Sequence, residues 1–214
     1  MYEAAIDPAP DRVSIALKKD GTALLHKHCA MRGRDSSALA DFVEKSFVEA
    51  GVQICEIDKW SVGSGPGSFT GLRQAAALVA GWCFGREKVD KRCVPGAVAM
   101  AAAAFSTPEE GFKVTTLYDG RNSEILYYEL EYRNGSWEST GNTGVLNSEQ
   151  AESCPFLKQT IACYDWEFER IRLIVPDLEI VTVSEGNAAA LIDVKLPEYD
   201  GDLTRLVYIR PAVY

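Results

Sequence analysis

Histidine is scarce in this chain of 214 residues, which has two. A serine or cysteine protease needs a base beside its nucleophile, and both candidates, His26 and His28, lie two residues apart on one predicted strand. Two histidines on one face of a strand can bind a metal ion, but no third ligand is evident. The sequence therefore argues against a peptidase, and we favour an exposed polar strand face over a metal site.

Long apolar runs are missing as well. No run reaches the roughly 18 residues that a membrane-spanning helix needs. Asp7, Asp11 and Arg12 interrupt the stretch in which a signal peptide has its apolar segment. The six cysteines are widely spread and form no C-x-x-C pair, as is usual for reduced thiols of cytoplasmic proteins. We therefore expect a cytoplasmic protein without a membrane partner or a disulfide framework.

Positive charge is in deficit, because 22 lysines and arginines stand against 31 aspartates and glutamates and the formal net charge is −9. Such a chain is not expected to bind nucleic acid broadly by itself, although a partner can supply the positive charge. Two local basic stretches, 32–34 and 86–92, are where RNA contact would be sought first. Solvated surface is the simpler interpretation of both.

The first half of the chain is predicted to alternate strands and helices. Residues 12–29 alternate on either side of the hairpin signal Asp20-Gly21. Apolar residues then fall at helical spacing, and Gly51 stands where a helix often ends. The predicted elements are strands at 2–7, within 12–29 on either side of the turn, at 59–64 and at 91–96, and helices at 35–51, 70–85 and 97–105.

The pattern restarts after residues 106–111, which read STPEEG. Three strands come first again, with the hairpin signal Asn134-Gly135 between the last two. Strand patterns at 159–165 and 178–185 and a short helix at 186–194 complete the order. Because the second half repeats the three-strand opening of the first, we predict a duplicated α/β fold. The predicted lobes are residues 1–105 and 106–214.

A glycine-rich stretch, GSGPGSFTGLR at 63–73, comes directly before a predicted helix, as phosphate-binding loops do. Three known patterns fail here. A P-loop needs lysine at the position of Leu72, and the dinucleotide-binding fingerprint needs a third glycine that this sequence lacks. A nucleophile elbow needs glycines two residues before and after the serine, which Ser68 does not have. A tight strand-to-helix turn is at least as good an interpretation as an anion site. The residues that could face an anion or nucleotide are Asp7, Gly65, Gly67, Ser68, Thr70, Asp119 and Arg121.

The helix after this loop is rich in small residues at i, i+4 spacing, such as Ala77 and Gly81. Glycine inside a helix costs roughly 1 kcal/mol relative to alanine, and that cost is understandable where another backbone comes close. The close neighbour can be the protein's own core or a partner chain. For the second case we predict an interface on the helices 36–50 and 70–85, formed by Leu39, Val43, Arg73, Ala76, Ala77, Ala80 and Gly81.

Three segments resemble one known family in the same order along the chain. GSGPGSFTGLR at 63–73 resembles the signature G-x-G-P-G-S-F-T-G-[LVI]-R of the TsaB (YeaZ) family. The segment 118–130 resembles its D-A-R-x-x-E-V-Y segment, and 206–214 resembles its P-x-Y-L-R ending. The first motif is highly specific. The residues retained in the other two are Asp119, Arg121, Glu124, Tyr127, Tyr208 and Arg210.

The resemblance implies an actin-like ATPase (ASKHA, ribonuclease H-like) fold of two duplicated α/β lobes, which agrees with the strand order predicted above. Members of this glycoprotease-like family act in making threonylcarbamoyladenosine in tRNA without performing the transfer. They bind the catalytic subunit TsaD, and the ATPase TsaE joins that pair. The resemblance therefore implies a scaffold that pairs with a TsaD-like subunit, or with itself when alone, and that meets tRNA only indirectly.

Three departures from the family pattern argue against ATP chemistry. The first-strand motif D-T-[SA]-T is DPAP at 7–10, where prolines replace residues that would offer hydroxyl or N–H groups. The histidine that opens the first helix is replaced by Asp35. The late G-D-G turn is Cys163-Tyr164-Asp165-Trp166, whose large rings stand where glycines would leave room. We therefore expect no cofactor, with an adenine nucleotide as the weaker alternative.

The pair Asp119 and Arg121 lies at the end of the strand that opens the second half. Its side chains can face a cleft between lobes or form a local ion pair, which is worth about 0–1 kcal/mol when exposed. Two further functions remain open beside the scaffold. One is an ATP-binding phosphotransferase or hydrolase of the same fold that uses Asp7 and the loop Gly65–Thr70. The other is a diverged paralogue with a different partner.

Overall fold

The computed structural model describes residues 1–31, 38–67, 69–195 and 201–209. Several predicted features lie outside these ranges: the basic stretch 32–34, Asp35 and Ser36 at the predicted helix start, Ser68, and Arg210. The strands are β1 (Tyr2–Asp7), β2 (Arg12–Lys19), β3 (Thr22–Ala30), β4 (Lys59–Gly63), β5 (Asp90–Val94), β6 (Lys113–Arg121), β7 (Glu124–Arg133), β8 (Ser136–Leu146), β9 (Thr160–Tyr164) and β10 (Ile180–Val183). The helices are α1 (Leu39–Glu49), α2 (Phe69–Trp82), α3 (Ala97–Ala104), α4 (Ser148–Ser153), α5 (Asp165–Arg172) and α6 (Ala189–Asp193).

The first sheet has the strand order β3-β2-β1-β4-β5. β1 pairs antiparallel with β2, and β2 pairs antiparallel with β3, while β4 and β5 run parallel to β1. Asp20 and Gly21 both have positive φ angles and form the predicted turn between β2 and β3. The three-strand opening predicted from the sequence is therefore confirmed.

One face of the first sheet is covered by α1 and α2. Phe47 of α1 stacks on Trp60 of β4, with ring centroids 5.9 Å apart, and Trp60 in turn stacks on Trp82 of α2 at 5.4 Å. Gly51, with a φ of +76°, follows the C-cap residue of α1, as predicted. The residues between this face and the two helices form a large apolar cluster, which packs α2 against the sheet.

The opposite face of the first sheet receives α6. Arg92 of β5 is buried and donates to Ser61 Oγ at 3.0 Å and to the carbonyl oxygens of Leu191 and Ile192 at 2.9 and 3.0 Å. Lys18 of β2 donates to Asp193 Oδ2 at 2.6 Å. Two cations of the first sheet therefore hold a helix that lies 99 and 175 residues later in the chain.

The second sheet has the order β10-β9-β6-β7-β8. β6, β7 and β8 are antiparallel neighbours, and β9 and β10 run parallel to β6. Asn134 and Gly135 form the predicted turn between β7 and β8. Counted from its own first strand, each sheet has the order 3-2-1-4-5, so the duplication is confirmed strand by strand.

Two helices of the second half, α4 and α5, were not predicted. In the duplicated order α4 corresponds to α1 and α5 to α2, since each follows the matching strand. α4 has six residues and begins with a capping box formed by Asn147 and Gln150. α5 has eight residues, most of them charged or aromatic. Neither is long enough to show a clear apolar period.

The contacts divide the chain into one unit of Met1–Ala99 with Asn187–Val207 and another of Met100–Gly186 with Tyr208–Tyr214. The predicted division at residues 105 and 106 assigns 187–207 to the second lobe. These residues instead pack with the first sheet, because α6 is hydrogen-bonded to Arg92 and Leu203 is buried in the first apolar cluster.

Candidate functional site

The glycine loop after β4 is a meeting point of several chain segments. Asp7 Oδ1, at the end of β1, touches the position that a Cβ on Gly63 would take, and it lies 2.8 Å from that position on Gly96. Real Cβ atoms do not come this close to other atoms. Glycine is therefore required at both positions by the Asp7 side chain rather than by a ligand.

Gly65 is required by the C-terminal segment. Its φ is +104°, and a Cβ there would lie 3.2 Å from the carbonyl oxygen of Val207. Val207 donates its N–H to Ser64 O at 2.8 Å, and Gly96 donates its N–H to Gly65 O at 2.7 Å. We call residues 63–67, Asp7, 94–96 and 201–207 the glycine junction.

The DPAP turn closes the same junction from the other side. A Cβ on Gly67 would lie 3.4 Å from Pro8 O and 3.7 Å from Pro10 Cδ. The loop therefore faces a carbonyl oxygen and a proline ring, whereas a phosphate site needs N–H donors or cations. This geometry suits a tight turn.

Helix α2 begins at Phe69, so Thr70 lies inside its first turn rather than at its N-cap. Thr70 is exposed, and Ser68, the residue before the helix, lies outside the described residues. The Arg73 guanidinium stacks 3.6 Å from the centre of the Phe69 ring.

Asp7 is the most unusual titratable group of the junction. It is 2% exposed, and its Oδ2 atom has no hydrogen-bond partner among the described residues. Burial raises the pKa of Asp7 to about 7, because a desolvated carboxylate is costly. Ser14, which is paired with Asp7 across β1 and β2, also has a buried hydroxyl without a partner in the described part of the chain.

Three members of the predicted partner interface lie in the core of their own unit. Leu39 is 2% exposed, Val43 is fully buried, and Ala76 is 7% exposed. Their apolar side chains face the first sheet, so they offer almost no surface to another chain. The sequence pattern could not separate them from the exposed positions because all of them are small or apolar residues at helical spacing.

The other four members form one exposed side of α2: Arg73, Ala77, Ala80 and Gly81. A Cβ added to Gly81 would meet nothing within 4 Å. The small side chains therefore leave the backbone of α2 open to a close approach from outside. We call this set the α2 stripe.

The stripe ends at Phe84, which the sequence analysis did not single out. Its side chain is 89% exposed, the largest exposed fraction given for a hydrophobic residue in the described part of the chain. It borders a shallow pocket of about 320 Å³ whose lining includes Ala80, Arg86 and Lys91. The sequence could have indicated Phe84, because it is an aromatic residue just after a helix of small residues.

Half of the cations in the basic stretch 86–92 make hydrogen bonds inside the protein. Arg86 donates to the carbonyl oxygens of Ile54, Cys55 and Ile57, and Arg92 holds α6. Lys88 is exposed and Lys91 is half-buried. Two of the four cations therefore serve the fold.

The pair predicted at the end of β6 does not form between side chains. Asp119 Oδ1 accepts the backbone N–H of Arg121 at 2.9 Å, and Asp119 Oδ2 pairs with Arg170 of α5 at 2.6 Å. Arg121 is exposed and has a φ of +60° in the turn to β7. The structure thus gives Asp119 a local ion pair with a residue that the sequence analysis did not name.

The sequence Cys163-Tyr164-Asp165-Trp166 lies where β9 passes into α5. The rings of Tyr164 and Trp166 stack with centroids 4.3 Å apart, and the ring of Tyr118 meets Tyr164 edge-on at 6.3 Å. Large rings therefore occupy this end of the second sheet, as their size suggested.

His26 and His28 both lie exposed on the edge strand β3. No group of three or more His, Cys, Asp or Glu side chains with metal-binding geometry occurs among the described residues. Within those ranges, no helix is long and apolar enough to cross a membrane. All six cysteines are free thiols.

Comparison with known proteins identifies the family. The family model described as TsaD, tRNA N6-adenosine threonylcarbamoyltransferase, matches residues 33–160, a range that includes the glycine loop and α2. The tRNA threonylcarbamoyladenosine biosynthesis protein TsaB of Escherichia coli K12 is 29% identical over 146 residues. The chain belongs to this TsaD-type family, and it is similar to TsaB. The match covers 68% of this chain and 62% of the Escherichia coli TsaB, so it spans less than two thirds of that relative.

Solved structures of similar proteins show which fold the chain has. YeaZ from Pseudomonas aeruginosa matches with a TM-score of 0.72 at 23% identity, over 90% of this chain and 89% of that one. Component A of the (R)-2-hydroxyglutaryl-CoA dehydratase of Acidaminococcus fermentans matches with a TM-score of 0.53 at 11% identity, over 94% and 98% of the two chains. The predicted actin-like ATPase fold is confirmed.

Proposed function

We propose that this chain is a non-catalytic scaffold subunit in the synthesis of threonylcarbamoyladenosine in tRNA, and that it acts in the cytoplasm. The observation that carries the proposal is the match to the TsaD-type family over residues 33–160, together with the similarity to a protein named for this pathway. The chain would support a TsaD-type catalytic subunit. A TsaE-type ATPase would join the pair, and tRNA would be met only through the assembly.

The α2 stripe is the surface that we assign to the TsaD-type partner. Small residues let two helix backbones approach closely, and Phe84 and Arg73 supply an aromatic anchor and a cation at its two ends. The same stripe would join two copies of this chain when the partner is absent. The charge of −9 and the engagement of Arg86 and Arg92 favour an indirect role towards tRNA.

The alternative is an ATP-binding phosphotransferase or hydrolase of the same fold. The glycine junction argues against it, since Gly65 and Gly67 pack against the carbonyl oxygens of Val207 and Pro8, and such oxygens repel a phosphate. A diverged paralogue with another partner would use the same stripe and differ in what it captures.

The replacement Ala80→Trp tests the assigned surface. A bulky ring on the stripe should block close approach of the helices and lower affinity for a TsaD-type subunit from the same organism at least tenfold. Co-purification and sedimentation velocity measure the effect, and threonylcarbamoyladenosine formation by the reconstituted subunits measures its consequence.

The matched control is Ala103→Trp, an exposed alanine near the end of α3. It should leave both assembly and tRNA modification unchanged. If Ala80→Trp assembled as well as the control, the stripe would not be the interface. If the unaltered chain captured no TsaD-type subunit at all, the proposed function itself would be wrong.

A further inference from the structure

The buried carboxyl of Asp7 differs from that of Glu129, a second well-buried carboxyl in the described part of the chain. Glu129 in β7 is 1% exposed and accepts hydrogen bonds from Thr140, Asn142 and Gln159 at 2.5 to 2.7 Å. Asp7 is as well buried, yet Oδ2 has no partner in the described part of the chain. A buried carboxylate without donors is unstable, so such a group keeps its proton or the structure around it opens.

Among the described residues, the neighbours that strand pairing and the glycine contacts give Asp7 carry no charge. Ser14 from β2 and the two glycines, Gly63 and Gly96, are uncharged. The charged groups on the same face of the sheet are engaged or distant. Lys18 pairs with Asp193, Arg92 holds α6, and the exposed His28 lies two strands away beside Ser14.

We propose that Asp7 is a proton-controlled latch of the glycine junction, which is closed when the carboxyl is neutral and loosened when it is ionised. The side chain lies between Gly63 and Gly96 and is 2% exposed, so water reaches the ionised carboxyl only when the segments around it move apart. That backbone carries the hydrogen bonds from Gly96 to Gly65 and from Val207 to Ser64. Ionisation therefore acts on the loop that begins α2 and on the C-terminal segment.

The pH range of the latch follows from linkage. The pKa of Asp7 is raised by burial from 3.8 to about 7. The stabilisation that the neutral carboxyl gives is complete below pH 3.8, declines as pH rises, and is lost above pH 7. The full change in the folding equilibrium is about three orders of magnitude if the unfolded chain has the ordinary value.

Hydrogen exchange tests the latch on the protein itself. After correction for intrinsic exchange, protection of the Gly96 and Val207 amides should fall between about pH 5.5 and pH 8.5. Protection of Leu130 in β7 should change little. In Asp7→Asn the junction amides should keep their protection at both pH values, and the exposed control Asp177→Asn should behave like the unaltered chain. Equal pH profiles for Asp7→Asn and the unaltered chain would overturn the proposal.

A second measurement tests the proposal without any variant, so it does not depend on whether Asp7→Asn folds. Infrared titration of the unaltered protein labelled with ¹³C-aspartate should show one carboxyl that loses its proton near pH 7. If every aspartate titrates below about pH 5, as ordinary aspartates do, the latch does not exist.

Discussion

Gly65 has a φ of +104°, and a Cβ at that position would lie 3.0 Å from Leu72 Cδ1 and 3.2 Å from Val207 O. Gly63 is crowded by Asp7 in the same way, whereas a Cβ on Gly67 would make an ordinary contact, 3.4 Å from Pro8 O. At the residue scale, two glycines of the family signature thus make room for neighbouring protein segments. The sequence could show that the phosphate patterns fail at named residues, but the segments that approach these glycines are up to 140 residues distant and could not be predicted.

The replacement Gly65→Ala should lower the free energy of unfolding by about 1–3 kcal/mol, because it adds both backbone strain and a close contact. Urea unfolding followed by tryptophan fluorescence measures the loss.

Gly81→Ala is the control with the opposite sign. The added methyl group points into open space on α2, so stability should rise by up to about 1 kcal/mol. Equal effects at the two positions would contradict the assignment of Gly65 to the junction.

At the scale of secondary-structure elements, α2 shows how far the sequence pattern reaches. The helix, its alanine spacing and its position after β4 were predicted correctly. The side of the helix on which each alanine is exposed was not predicted. Ala76 and Ala77 are the same residue type, and the packing of α2 on the sheet decides which of them is buried. Ala76 is buried against the sheet, whereas Ala77 is exposed. The duplicated order could also have predicted α4 and α5, since they are the counterparts of α1 and α2 in the second half.

Helix α6 depends on Arg92 more than on its own sequence, since it has five residues. Arg92→Lys should lower the free energy of unfolding by about 1–3 kcal/mol, because one ammonium group cannot reach Ser61 and the two carbonyl oxygens of α6 together. Thermal unfolding measures the effect. The exposed neighbour Lys88→Ala should change little, and an equal loss in both variants would contradict the role of the Arg92 hydrogen bonds.

At the scale of the whole molecule, both sheets repeat the order 3-2-1-4-5, yet the two copies have diverged in what they display. The first carries the fourteen-residue α2 with its exposed stripe, and the second carries the eight-residue α5 with charged ends. The fold class was predictable because hairpin turns and strand order are local features. The assignment of 187–207 to the first unit was not, because it rests on contacts across about a hundred residues.

The fold is shared with nucleotide-dependent proteins, so ATP binding is a property to test on the intact chain. Isothermal titration with ATP and magnesium should give no saturable heat, because the glycine loop packs against the carbonyl oxygens of Val207 and Pro8. A TsaE-type ATPase serves as the positive control. Stoichiometric binding to this chain would favour the enzyme alternative.

The return of residues 187–207 to the first unit has a consequence for how the protein is made. A ribosome releases β1 to α2 first, and the segment that completes their unit emerges only after the strands of the second sheet. The first unit therefore stays incomplete while the second sheet is translated and able to fold. A segment that is synthesised after the second sheet completes the unit that was started first.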